Sequence, residues 1–338
     1  MMMQFLNKKI YILFIGLCVS FILFWILMST ISLSDVKNTL DNIVPVYIIV
    51  GFFLYILTYF FRTLRFYLLL NKEVKIFDLF SIVCLHNFFN SLFPARSGEL
   101  SYVLLLKKIH NRNLSDGIAT LVVSRFFDFF CIGLFFILIV LSLQKISESI
   151  VITMYFTIFA LIGAFIFFIL LKEIDSKRGV FIFGFLNNGY IGKNKYLSYF
   201  ILKMREIYNQ VMLISKKGGF FILSLILTSM FIWSIQYCMM YYIALSMQIN
   251  IGLIPILFAV SFTFLTSLLP VQGIAGFGTT EAGWALGFIL MGLSHEQAIS
   301  TGIGFHLILI LFFTILGLWG LIGLQISRYK KAGYVNSN

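Results

Sequence analysis

The sequence predicts an all-α polytopic membrane protein with six spanning helices and two re-entrant helical hairpins in an inverted-repeat arrangement. Three observations lead there: long apolar runs, two further runs broken in the middle, and basic residues confined to a few connections. Of 338 residues 60% are hydrophobic and only 11% charged, and Phe fills 40 positions. A soluble domain could not cover its surface with so little polar material, so lipid is the solvent for much of the chain. The net charge of +12 would suggest nucleic acid if the basic residues shared one face. They cluster between apolar runs instead, which is the pattern of topology signals, and no nucleic-acid partner is expected.

Runs of 20 or more apolar residues suffice to cross roughly 30 Å of hydrocarbon. Six are found, at about 10–32, 46–70, 118–142, 150–171, 219–247 and 298–326. The first follows Met1–Lys9 and is too long for a signal-peptide core, with no small-residue cleavage site after it, so it is expected to be a retained helix. Two more stretches, about 79–106 and 253–293, are interrupted at Pro94-Ala95-Arg96-Ser97-Gly98-Glu99 and at Pro270-Val271-Gln272-Gly273-Ile274-Ala275-Gly276-Phe277-Gly278. Neither half of either stretch is long enough to span, leaving a choice between one crossing with an amphipathic tail and a hairpin that turns back.

The distribution of Lys and Arg decides between them. Lys8 and Lys9 put the N-terminus in the cytoplasm, the connection 33–45 with Lys37 outside, and Lys72 and Lys75 inside. A single crossing at 79–106 would put Lys107, Lys108 and Arg112 outside; a hairpin keeps them inside. The connection 172–217, with nine basic residues, is then inside, and a second hairpin at 253–293 returns Arg328, Lys330 and Lys331 to the cytoplasm. Both termini are expected to be cytoplasmic.

This topology divides the membrane domain, read as a single one over 1–338, into repeat A at about 46–142 and repeat B at about 219–326. The tips echo each other: Ser91-Leu92-Phe93-Pro94 precedes Gly98 and Glu99, and Ser267-Leu268-Leu269-Pro270 precedes Gly278 and Glu281. Chance recurrence in a Leu-rich chain is the plain alternative; the charge-derived topology favours the repeat. Broken helices meeting near the midplane are the usual construction of a secondary-transporter site. In the segment 172–217, Leu197, Phe200, Ile201, Met204, Ile207, Tyr208 and Val211 recur at helical spacing opposite Lys203, Arg205, Glu206 and Asn209, as in a helix lying on the cytoplasmic leaflet.

An ionisable side chain at mid-membrane costs about 2.5–3.5 kcal/mol on insertion scales, so each one needs a partner or a watery cavity. Arg96 and Glu99 sit at the first tip and Glu281 just after the second; Glu99 and Glu281 equally suit first-turn acids that complement a helix N-terminus. Arg62 and Arg65 lie one turn apart near a cytoplasmic end, where Arg65 in particular is expected to reach the headgroups. Arg125 and Asp128 share a helix face and read most simply as an internal ion pair. Arg96, beside the N–H groups of a half-helix expected to begin near Ser97, suits an anion, and a lipid phosphate is the anion most available at that depth. Gly273, Gly276 and Gly278 allow the second tip a tight, irregular turn. That turn is not a nucleotide loop, since no strand precedes it and G-x-x-x-x-G-K-[ST] is absent. His86 and His306 lie in apolar segments and read as hydrogen-bonded packing residues ahead of proton relays. Cys18, Cys84, Cys131 and Cys238 have no metal-like spacing, and no nucleophile–base arrangement argues for covalent catalysis, so no catalytic residue, metal or cofactor is expected.

The run Asn90–Glu99, the stretch Ser124-Arg125-Phe126-Phe127-Asp128 and the run Leu269-Pro270…Gly276-Phe277-Gly278-Thr279-Thr280-Glu281-Ala282 resemble the flippase-like family, also called the lysylphosphatidylglycerol synthase transmembrane region, over roughly 10–326. The resemblance implies that Arg96, Glu99, Arg125, Asp128 and Glu281 fall at positions the family tends to keep. It also implies translocation, across a bacterial cytoplasmic membrane, of a lipid such as aminoacylated phosphatidylglycerol or a polyprenyl-phosphate-linked sugar. Bifunctional members add a soluble C-terminal lysyltransferase domain, whereas this sequence reaches Asn338 just past its last helix, so a stand-alone membrane domain is expected. The second tip, Pro-Val-Gln-Gly-Ile-Ala-Gly, has fewer glycines directly after the proline than many relatives, which leaves room for a different headgroup. The alternative is an intramembrane enzyme of the phosphatidylglycerol lysyltransferase type, or its scaffold, linked to cationic-peptide resistance. Homo-oligomerisation is compatible with the small-residue spacing Gly283-x-x-x-Gly287.

Overall fold

The computed structural model describes Trp25, Ser29 and residues 32–144, 148–173, 195–268 and 273–335. The expected first span at 10–32 therefore lies outside the described residues, as do Pro270, Val271 and Gln272 of the second tip. The described residues are helical and contain no strand. In chain order the helices are α1 (Leu33–Asp41), α2 (Pro45–Leu69), α3 (Ile76–Leu92), α4 (Leu100–His110), α5 (Leu114–Leu141), α6 (Glu148–Glu173), α7 (Lys195–Ser215), α8 (Gly219–Ser246), α9 (Leu253–Leu268), α10 (Thr279–Leu290) and α11 (His295–Val335). Short 3-10 turns at Pro94–Glu99 and Ile274–Gly276 precede α4 and α10.

Among the described residues four helices are long and apolar enough to cross a membrane: α2, α5, α8 and the part of α11 that ends at Ser327. Their outer faces carry large apolar side chains, Phe53 on α2 and Phe220 on α8 being 66% and 85% exposed, while Arg65, Asp128, Glu281 and His306 are buried. Apolar outside and ionisable inside is the arrangement that lipid, not water, stabilises.

Local sequence explains where the elements start and stop. Ser32 and Asp35 cap α1 reciprocally, so the connection expected over 33–45 in fact opens with a helix. Pro45 occupies the first turn of α2, where its missing N–H costs nothing. Pro94 drives Phe93 to extended backbone (φ −87°, ψ 138°) and ends α3. Asn111, left-handed at φ 52°, ends α4 just after Lys107, Lys108 and His110, cations that complement the C-terminal dipole.

Both interrupted stretches fold as antiparallel helical pairs. At the base of the first, His110 at the end of α4 lies 3.3 Å from Asp78 at the start of α3. Its turn packs so tightly that a Cβ on Gly98 would stand 2.2 Å from the Phe89 carbonyl oxygen, which only glycine permits. In the second pair α10 lies directly on α9: the glycine spacing noted in the sequence puts Gly283 against Thr263 and Thr266, and Gly287 against the backbone of Ala259. Gly317, Gly320 and Gly323 of α11 do the same for α3, meeting Phe88, Ser81 and Cys84. The partners of these small-residue stripes are therefore helices of the same chain. The helices α2 and α8 also run antiparallel, with Val44 N–H donating to Ser246 O at 2.9 Å and Phe61 stacked on Phe231 farther along.

Candidate functional site

The two turns meet. The Arg96 guanidinium donates to the backbone carbonyl of Ser267, at the end of α9. Each turn also holds a residue other than glycine in the left-handed region, Arg96 and Ala275 both at φ 53°. A side chain in that region costs about 1–3 kcal/mol and persists only where surrounding contacts over-determine it, as at binding sites. The half-helix expected near Ser97 begins instead at Leu100, because residues 94–99 are spent on the 3-10 turn.

Behind the tips an ion network crosses three helices. Arg65 on α2 holds Asp128 on α5 with two nitrogens, at 2.7 and 3.2 Å, and donates to Ser229 on α8 at 3.0 Å. Trp233, also on α8, adds its indole N–H to Asp128 at 3.0 Å. Arg65 thus faces inward, 3% exposed, and does not reach for headgroups: Asp128 and Ser229 take its terminal nitrogens inside the bundle. The expected Arg125–Asp128 pair exists at 3.4 Å, but the shorter contact of Arg125 is with Glu99 of the first turn, at 2.7 Å. Glu99 also lies 3.5 Å from Arg96, so the chain Arg65–Asp128–Arg125–Glu99–Arg96 runs unbroken from the bundle core to the tip contact.

Arg62 stands apart from this chain. Its one described hydrogen bond goes to the neutral Asn87 Oδ1, at 2.8 Å. Arg62, Arg96 and Arg125 all line a cavity of about 190 Å³ between the two hairpins, together with Asn87, Gln236, Ser267, Thr280 and His306. A neighbouring cavity of about 170 Å³ continues past Arg62 and Thr280 toward Thr263 and Thr279.

On the far wall His306 of α11 meets Glu281, buried behind it in the first turn of α10, at 2.7 Å. The other ring nitrogen of His306 lies 2.8 Å from the Ala275 carbonyl. A carbonyl oxygen only accepts, so His306 Nε2 carries a hydrogen, and a second proton must sit between Nδ1 and the carboxyl of Glu281. Glu281 is therefore more than a first-turn acid: through His306 it fixes the left-handed Ala275. Gly276 and Gly278, each at φ 80°, complete the turn. His86 packs edge-on against Tyr102, away from this pair.

The residues Arg62, Arg96, Glu99, Arg125, Asp128 and Glu281 singled out in the sequence are thus brought to one region, with Gly276 in the cavity wall. Sequence reading sent Arg65 to the headgroups, and missed Trp233, Gln236, Asn87 and the partnership of His306. Neutral amides and an indole in apolar helices give no signal until the fold aims them at a charge.

Helices that turn apolar faces outward and enclose ionisable groups define a multi-pass membrane protein. The model of the lysylphosphatidylglycerol synthase TM region matches residues 13–317, and the chain belongs to that family. No curated protein and no solved structure matches it.

Proposed function

We propose that this protein is a lipid flippase, moving a phosphate-containing lipid across the cytoplasmic membrane, with the headgroup held between the two hairpin tips. The observation that carries the reading is the meeting of Arg96 with Ser267 beside a cavity lined by three arginines. In this reading the chain crosses the membrane six times, the α3–α4 and α9–α10 pairs are re-entrant, and repeats A and B are inverted copies. The packing supports that symmetry: α2 lies on α8, α3 on α11 as α9 lies on α5, and each pair closes on itself. Arg96, Arg62 and Arg125 take the phosphate, Asp128 and Glu99 hold those arginines in place, and Glu281 with Gly276 and Gly278 shapes the opposite tip. Inverted broken helices facing one midplane cavity are a construction that permits alternating access.

Reconstitution into vesicles bearing a headgroup-labelled lipid tests the proposal. Arg96→Ala and Glu281→Ala should each slow translocation at least tenfold; wild-type rates in both would remove these residues from the mechanism. A second reading, favoured by the family description alone, is a membrane part of lysylphosphatidylglycerol synthesis. Lipid analysis separates the two: loss of a lipid species on deletion points to synthesis, and the same species retained in the inner leaflet points to transport.

A further inference from the structure

We propose that the cavity between the tips selects a phosphate monoester, a dianion, over the singly charged phosphodiester of phosphatidylglycerol or its cationic lysyl ester. The inference rests on the functional reading above and narrows its substrate. Four guanidinium groups, those of Arg62, Arg65, Arg96 and Arg125, belong to the network or its cavity, and two carboxylates, Asp128 and Glu99, face them. Arginine keeps its charge in proteins, so none of the four is neutralised by losing a proton.

Glu281 and His306 do not alter the balance. With one hydrogen on Nε2 and one proton shared between Nδ1 and the carboxyl, the pair sums to zero whichever atom holds that proton. A proton on His86 would only add to the excess. Two positive charges are therefore left without a carboxylate among the described residues, on part-buried arginines that line the cavity.

The geometry gives the excess a location. Among the described residues Arg62 makes no ion pair, since Asp128, the carboxylate that attracts it, is held by Arg65 and Arg125, and Arg96 shares Glu99 with Arg125 and donates to the neutral Ser267 carbonyl. Both line the same cavity, with the hydroxyl of Thr280 and the amides of Asn87 and Gln236 beside them. Arginine forks and neutral donors around one pocket suit three terminal phosphate oxygens carrying two charges. Among the described residues that wall offers no carboxylate to an ammonium group, which a lysyl headgroup would require.

The test is binding by the purified full chain in nanodiscs of neutral phosphatidylcholine, with phosphatidate, phosphatidylglycerol or lysylphosphatidylglycerol of identical acyl chains added. At about pH 8, above the second ionisation of a monoester near pH 6, phosphatidate should bind about tenfold or more tighter than phosphatidylglycerol, the least that one added charge-assisted hydrogen bond commands. That advantage should fade as the pH falls through about 6, where the monoester loses its second charge. Arg62→Gln should abolish it, and Arg62→Lys, which keeps the charge, should retain part of it even if the Gln variant folds poorly. Soluble glycerol 3-phosphate is the control for source: equal affinity assigns the site to a free phosphomonoester, and a much weaker one assigns it to a lipid. Equal binding of phosphatidate and phosphatidylglycerol, tightest binding of the lysyl ester, or a preference untouched in both Arg62 variants would overturn the inference. Translocation of a phosphodiester lipid without monoester preference would sink the charge argument and leave transport standing. Monoester preference without translocation would do the reverse.

Discussion

Arg65 grips Asp128 through both terminal guanidinium nitrogens, and it does so across 63 residues of sequence and between two membrane-crossing helices. Asp128 is the shared acceptor of α2, α5 and α8, since Trp233 donates to the same oxygen. Replacing it by Asn leaves an arginine buried without its counter-charge, and breaking such a pair costs about 3–5 kcal/mol. Asp128→Asn should therefore lower the thermal unfolding midpoint in detergent steeply. The double variant Arg65→Met/Asp128→Leu should recover much of that loss, because neither member of the pair is then left buried without the other. A single variant with unchanged stability would mean that water solvates the pair.

Glycine substitutions should divide by sign. A Cβ at Gly287 would stand 2.1 Å from the Ala259 carbonyl oxygen, and backbone cannot move aside as a side-chain tip can. Gly287→Ala should force α9 and α10 apart and cost about 1–3 kcal/mol or more, the range for overpacking. At Gly163, on α6, an added methyl meets nothing within 4 Å. Gly163→Ala should instead raise helix stability by roughly 0.5–1 kcal/mol. Unfolding midpoints of the two variants, measured side by side, check both; equal shifts would refute the packing of α9 on α10.

These contrasts show what the sequence could and could not disclose. The breaks at Pro94 and after Leu268 were readable, because proline and clustered glycine punctuate an apolar run whatever surrounds them. The amphipathic spacing from Leu197 to Val211 likewise corresponds to α7. The four residues Arg96, Glu99, Arg125 and Asp128 stood out because ionisable groups in apolar helices are expensive. Spacing along one helix correctly suggested Arg125 for Asp128, but the nearer partner, from α2, lay beyond its reach. Arg65 misled for the same reason: its distance from a helix end is local information, and the carboxylate that turns it inward is not. The short helix α1 was hidden by its polar composition, although Ser32 and Asp35 form a legible cap.

Glu206 ties α7 to the start of α5, accepting from Lys203 at 2.7 Å and from the Ser115 hydroxyl at 2.7 Å. The Lys203 contact, with that of Ser115 next, holds its carboxyl below the usual glutamate range. A lowered folded value means that the carboxylate form favours docking. Its contribution is complete above the ordinary glutamate range and is lost as the pH falls through the lower folded value. Hydrogen exchange of α7 should accelerate on acidification in the wild type, whereas Glu206→Gln should exchange at one raised, pH-insensitive level after correction for intrinsic rates. An α7 equally protected at both pH values would exclude this tether.

The proton between Glu281 and His306 can be located by substitution. Both groups are buried, and His306 spends its other nitrogen on Ala275, so the pair is what pins the second turn. In Glu281→Gln the amide N–H can donate to Nδ1 just as a carboxylic acid would, while Nε2–H stays on the Ala275 carbonyl. That variant should lose no more than about 1 kcal/mol, the worth of an ordinary hydrogen bond. Glu281→Leu offers nothing to Nδ1 and should cost about 1–3 kcal/mol for a buried group left unsatisfied, with faster proteolysis at the turn. Unfolding midpoints of the two variants rank these outcomes. If the Gln variant falls as far as the Leu variant, the proton resides on the imidazole, and the second turn is held by an ion pair in place of a neutral hydrogen bond.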